Sequence, residues 1–100
     1  MNITVINTKL LNQQLKDANY KGWSFEYDSK ASRYCLSIFD NHNPEDELIF
    51  FLHVFDPTSI SHAVRYKKDG TENPIDKKHN YYLEAEKLIS RFIKGFSLCL

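Results

Sequence analysis

Two alternating runs dominate the pattern of apolar and polar positions. They are Trp23-Ser-Phe25-Glu-Tyr27-Asp28 and Arg33-Tyr34-Cys-Leu36-Ser-Ile38. Alternation with period two sends successive side chains to opposite faces of a sheet, so these segments predict two strands with one apolar and one polar face. If Asp28 lies opposite Arg33, a four-residue loop, Ser29–Ser32, joins them as a hairpin. Tyr27 then faces Tyr34, Phe25 faces Leu36 and Trp23 faces Ile38 across the apolar side. Glu26 faces Cys35 and Ser24 faces Ser37 on the other. Every pair is chemically compatible, and a slip of one residue would set aromatics against polar partners.

The rest of the chain fits around this hairpin. A short strand is expected at Ile3–Ile6, followed by a helix that Asn7 or Thr8 caps, with Leu11, Leu15 and Ala18 on its apolar side. Gly22 is placed to stop it. Asp40–Glu47 has the composition of a turn. Leu48–Phe55 is apolar at nearly every position, the pattern of a central strand covered on both faces. Asp56-Pro57 is turn chemistry. Ile60, His62, Val64 and Tyr66 alternate with more polar neighbours as a fourth strand, which Asp69-Gly70 ends. Ala85, Leu88, Ile89, Phe92, Ile93 and Phe96 form the stripe of a final helix, capped by Asp76 or Asn80 and ended by Gly95. Beyond it, Phe96–Leu100 packs on the sheet or adds an edge strand. The expectation is a single α+β domain over residues 1–100. Its four-stranded antiparallel sheet carries an N-terminal and a C-terminal helix, in the order (β)αββββα.

Composition narrows the function classes. Thirteen basic residues balance thirteen acidic ones, whereas phosphate-driven binders usually carry a basic excess. The beginning of the chain lacks a basic segment followed by a long apolar one, and no run is long enough to cross a bilayer, so a cytoplasmic, non-membrane protein is expected. Cys35 and Cys99 do not make a disulfide framework and are expected to be reduced. No cofactor signature is present. The histidines lack zinc-pair spacing, and the acidic segment lacks the glycine and spacing of a calcium loop, so no metal is expected.

Three constellations remain. Glu26, Cys35 and His53 would form a carboxylate–thiol–imidazole set if the central strand brought them together, the basis of a small cysteine-enzyme alternative. Arg65, Lys67, Lys68, Lys77 and Lys78 bracket a turn and a helix start, the basis of a nucleic-acid-binding alternative. With lysines opening the last helix, the helix–three-strand–helix order resembles double-stranded-RNA-binding domains in outline, a resemblance of element order alone. The third constellation is the acidic turn, Asp40, Glu45, Asp46 and Glu47, beside the aromatics Phe39, Phe51 and Phe55. If the helices cover the Trp23–Ile38 face, then Phe39, Ile49, Phe51 and Phe55 point away from them. Either one helix crosses to cover that side, or the patch is an interface, a symmetric homodimer contact among the possibilities; periodicity does not say which face each helix covers. The preferred expectation is a non-catalytic protein that binds and inhibits or neutralises a protein or ribonucleoprotein target. A bacterial immunity protein, or a phage or mobile-element antagonist of a host defence complex such as an anti-CRISPR, is its concrete form.

Overall fold

The computed structural model describes residues 4–5, 7–20, 22–93 and 98–99. A two-residue strand, β1 (Thr4–Val5), precedes helix α1 (Thr8–Asp17). Five strands follow: β2 (Ser24–Asp28), β3 (Arg33–Phe39), β4 (Glu47–Leu52), β5 (Ile60–Tyr66) and β6 (Glu72–Pro74). Helix α2 (Asn80–Leu88) runs into a π-helical turn, Ile89–Ile93, and β7 (Leu98–Cys99) pairs antiparallel with β1. The β2–β6 sheet is an antiparallel meander in chain order. The α+β class and the two helices agree with expectation; the main sheet has five strands where four were expected.

The hairpin forms in the register that its side chains dictate. Asp28 pairs with Arg33, Tyr27 with Tyr34, Glu26 with Cys35, Phe25 with Leu36 and Ser24 with Ser37. Trp23 sits just ahead of the strand and is buried. The loop closes on Asp28, whose Oδ1 accepts from the Lys30 and Ala31 amides, while Ser32 takes the left-handed conformation (φ 53°).

Both helices pack on one side of the sheet. Leu11 and Leu15 of α1 join one buried cluster with Tyr82, Ala85 and Leu88 of α2, Ile89 and Ile93, and the strand residues Trp23, Phe25, Leu36, Ile38, Leu48, Phe50, Leu52 and Ala63. Burying a side chain of this size stabilises by roughly 1.5–3 kcal/mol. Helix α1 also covers part of the β2 edge: the Phe25 amide donates to Asn12 Oδ1 (2.7 Å), and Asn12 Nδ2 donates to the Phe25 carbonyl (2.9 Å). A side-chain amide thus takes the place of a neighbouring strand, blunting an edge that would otherwise invite pairing. On α2, Glu84 accepts from the Trp23 indole (3.3 Å), and Trp23 packs between Phe50 and Tyr81.

Several boundaries depart from the periodicity. Asn7 caps α1 as expected, accepting from the Leu10 amide, but Gly22 does not stop it. The helix ends five residues earlier at Asp17, and Asn19 (φ 68°) supplies the left-handed residue; asparagine tolerates it because its short polar side chain bonds locally. His79, not Asp76 or Asn80, caps α2: its Nδ1 accepts from the Tyr81 amide (3.2 Å). Asp76 instead holds the preceding turn by accepting from the Lys78 amide (2.7 Å). Strand β4 stops at Leu52, because His53–Ser59 folds into a tight loop on its own backbone bonds. Strand β6, unexpected from the pattern, follows the Asp69-Gly70 turn, where the Lys67 amide bonds the Thr71 carbonyl. The expected positions Ile3, Ile6, Gly95, Phe96 and Leu100 lie outside the described residues.

Strand β5 contains the most consequential departure. His62 pairs with Phe51, but Leu52 pairs with Ile60, so β5 carries one extra residue at this point. Such a bulge reverses which face the next side chain takes. Ile60 therefore packs against the core beside Leu52, although simple alternation groups it with His62, Val64 and Tyr66. The residue of β5 fully committed to the core is Ala63.

A candidate binding face and its acidic flank

With both helices on one side, no described helix covers the other face of the sheet. The pairing sets its side chains in rows. Asp28 and Arg33 form the first row, and Glu26, Cys35, Phe51 and His62 the second. Ser24, Ser37, Ile49, Val64 and Pro74 form the third, and Phe39, Glu47, Tyr66 and Glu72 the fourth. A recess of about 500 Å³ opens on this face, floored by Cys35, Ser37, Ile49 and Phe51 and edged by Glu26, Asp28, Lys30 and Glu47.

Phe51 is only 7% exposed, though it lies outside the main core. Two neighbours on the same face shield it. The Arg33 guanidinium lies 4.0 Å from the ring centroid, and the His62 ring stacks at 4.8 Å with an interplanar angle of 24°. A guanidinium over a ring gains roughly 0.5–2 kcal/mol, depending on desolvation. Burial, followed by the nearby charges of Arg33 and His53, lowers the His62 pKa, so this imidazole is neutral near pH 7. Phe39 stays exposed at one end of the face. Phe55, which was expected on this face as part of a longer strand, instead sits in the β4–β5 loop and is 89% exposed. That loop is well tied: His53 and Ser59 bond through their backbones, and Asp56 accepts from the Thr58 amide and hydroxyl.

The carboxylate–thiol–imidazole set does not assemble. Glu26 and Cys35 are paired, but Cys35 meets Phe51 on its other side, while His53 lies beyond the end of β4 and is exposed. Cys35 is a free thiol. Burial first, then the charges of Asp28 and Glu26 against the opposing pull of Arg33, raises its pKa to about 11. A thiol so protonated is a poor nucleophile at neutral pH. The Cys99 side chain lies outside the described residues.

The acidic turn and the basic turn are partners of each other. Arg65 projects from β5 and donates through Nη1 to Asp40 Oδ2 (2.7 Å) and Asp46 Oδ2 (3.1 Å). Asp40 is 5% exposed and also accepts from the His42 amide (2.9 Å). Burial alone would raise the Asp40 pKa. The Arg65 hydrogen bond, the turn amides and the Arg65 charge overcome that and hold it below the ordinary carboxylate value. The Asn41 amide donates to the Tyr81 hydroxyl (2.9 Å), tying the turn to α2. Outside, Lys68 Nζ reaches Glu45 Oε1 (3.1 Å) with both groups well exposed, a pair worth little in water. Of the acidic turn's four carboxylates, Asp40 and Asp46 are therefore spent on Arg65. Glu47 belongs to the sheet face, and Glu45 is held loosely. Lys67, Lys77 and Lys78 remain exposed.

Among the described residues, no cluster of three His, Cys, Asp or Glu side chains is placed to hold a metal ion. No described helix is long and apolar enough to cross a membrane. Sequence reasoning did not find Glu26, Asp28 and Glu72 as residues flanking the aromatics. For Glu26 and Asp28 the signal was in the alternation of β2, whereas Glu72 lies in β6, which shows none; assigning all three to one face needed the five-strand register. Comparison with family models, curated proteins and solved structures finds no match to this chain.

Proposed function

We propose that this chain is a small, non-catalytic, cytoplasmic binding protein that inhibits or neutralises a macromolecular partner through the helix-free face of its sheet. A bacterial immunity protein, or a phage or mobile-element antagonist of a host defence complex, is the concrete form. The observation that carries the reading is the one-sided packing. Both helices serve one core, and the opposite face keeps Phe39, Ile49, Val64 and Tyr66 within a single register.

Size constrains how a partner would sit. Five strands about 4.8 Å apart and a β4 of six residues make a face of roughly 19 by 17 Å. In projection that is about 320 Å², short of the roughly 800 Å² per partner of a standard interface. A partner on the sheet therefore extends to the flanking segments, where Phe39 and Phe55 stand at opposite ends of β4 and the acidic turn borders one side. Exposed aromatics are among the residues that commonly anchor such contacts.

Nucleic-acid binding is the weaker reading, because Arg65 is engaged by two carboxylates and Lys68 by one. The test is affinity capture from the native host with the wild-type chain and with a Phe39→Ser/Phe55→Ser variant. The expected result is a stoichiometric partner that the wild type retains and inhibits at one-to-one ratio, and that the variant loses. Capture of no stoichiometric partner, or equal capture by the variant, would refute the reading.

A further inference from the structure

The charges of the open face are not those of the whole chain. Basic and acidic residues balance over the sequence, yet the register places four carboxylates on this face, Glu26, Asp28, Glu47 and Glu72, against one guanidinium, Arg33. The formal sum is −3, or −2 when Lys30 at the loop rim is included. His62 is neutral near pH 7 and adds nothing. Arg33 lies over Phe51, and its Nε, 4.0 Å from Asp28 Oδ2, is buried without a hydrogen-bond partner among the described residues. Glu26 and Glu47, on either side of the recess, have no ion-pair partner among the described residues.

We infer that the recess accepts a basic side chain of a protein partner, an arginine or lysine flanked by an apolar residue. The basic group would meet Glu26 at one end of the recess or Glu47 at the other, and its apolar neighbour would rest on Ile49 between them. The inference rests on the proposed binding function and adds the chemistry of the partner. Complementary charge steers encounter and sets specificity, whereas like charge brought face to face costs several kcal/mol. A second copy docking by the same face would oppose one negative surface to another. A phosphate backbone would meet the same repulsion. The observations thus favour a basic, partly apolar protein surface over both.

The probe is the capped dipeptide acetyl-Arg-Phe-amide, with acetyl-Glu-Phe-amide as its control, titrated into the ¹⁵N-labelled full chain. Amide shifts are expected to concentrate on Glu26, Cys35, Ser37, Ile49 and Phe51 with the arginine probe only, and to shrink in 0.5 M salt. The double variant Glu26→Gln/Glu47→Gln, checked by its amide spectrum to be folded, should bind the probe roughly two- to fivefold more weakly, the loss of one partly exposed ion pair at whichever end the arginine occupies. Shifts absent from this face, equal for both probes, or unchanged in the double variant would overturn the inference. So would a homodimer that Phe39→Asp dissociates, or an RNA oligonucleotide that perturbs the same residues. These outcomes are separable from failure of the broader reading. A partner captured through Phe55 but indifferent to Glu26→Gln/Glu47→Gln leaves the binding function intact and removes the basic-group recess.

Discussion

Replacing Arg65 by methionine keeps most of the side-chain length and removes the one cation that two carboxylates share. Asp40 is nearly fully buried, and Asp46 and Arg65 are each mostly buried, so their charges are poorly solvated without each other. Breaking a buried pair by deleting one member typically costs about 3–5 kcal/mol, because the remaining charge stays buried and uncompensated. Partial exposure of Asp46 and the amide contacts of Asp40 favour the lower end, roughly 3 kcal/mol. That is a large share of the 5–15 kcal/mol that holds a typical domain, and for 100 residues it corresponds to a Tm lower by roughly 12–24 °C.

The loss should depend on pH in a defined sense. In the wild type, the folded Asp40 pKa lies below its unfolded value, so the pair's stabilisation is complete above the ordinary carboxylate pKa near 3.9. It is lost as pH falls through the folded value. Without Arg65, burial instead favours the neutral carboxyl, so the variant is penalised most at neutral pH and least in acid. Urea unfolding at pH 7, 5 and 3.5 should therefore show a gap between wild type and Arg65→Met that narrows as pH falls. A gap below about 1 kcal/mol at pH 7, or one that does not change with pH, would refute the assignment of Arg65 as the turn's electrostatic anchor.

Other expectations follow from the same contacts. Asn12→Ala leaves the Phe25 amide and carbonyl without their partner and should cost about 1–3 kcal/mol by chemical denaturation, with increased self-association at the uncovered β2 edge. Phe50→Ala empties the centre of the core, where the ring contacts Trp23 and Tyr82; a loss of about 3–5 kcal/mol is expected, and less than 1 would contradict the packing. Cys35, with a pKa near 11, should alkylate at pH 8 about 100-fold more slowly than an ordinary thiol. Equal rates in native and urea-unfolded protein would remove that assignment.

The parts of this fold legible in the sequence are those where neighbouring residues decide the outcome. The hairpin's register follows from pairwise matching over sixteen residues, and α1's start from a capping side chain at position 7 or 8, which the structure resolves as Asn7. Strand β6 escaped because three residues including Pro74 show no alternation; its one signal was the Asp69-Gly70 turn. The length of β4 was overread because Val54 and Phe55 continue the apolar run, although Asp56-Pro57 already pulls the backbone into a loop. The facing of β5 depended on a bulge, which periodicity cannot register. The acidic turn looked like free surface because Arg65, its counterion, lies 19 and 25 residues further along the chain. For the same reason the acidic and basic segments looked like two sites, when they largely neutralise one another. What carries the proposed function is the face left bare by the helices, and only the three-dimensional side of α2 packing identifies it.

The most direct measurement is hydrogen–deuterium exchange on the full chain, alone and saturated with the partner captured from its host. The open-face account requires added protection in β3 and β4, at Cys35–Ser37 and Ile49–Phe51, and in the Val54–Phe55 loop. Protection confined to Lys67–Gly70 and Lys77–Lys78, with the β3–β4 face unchanged, would contradict it.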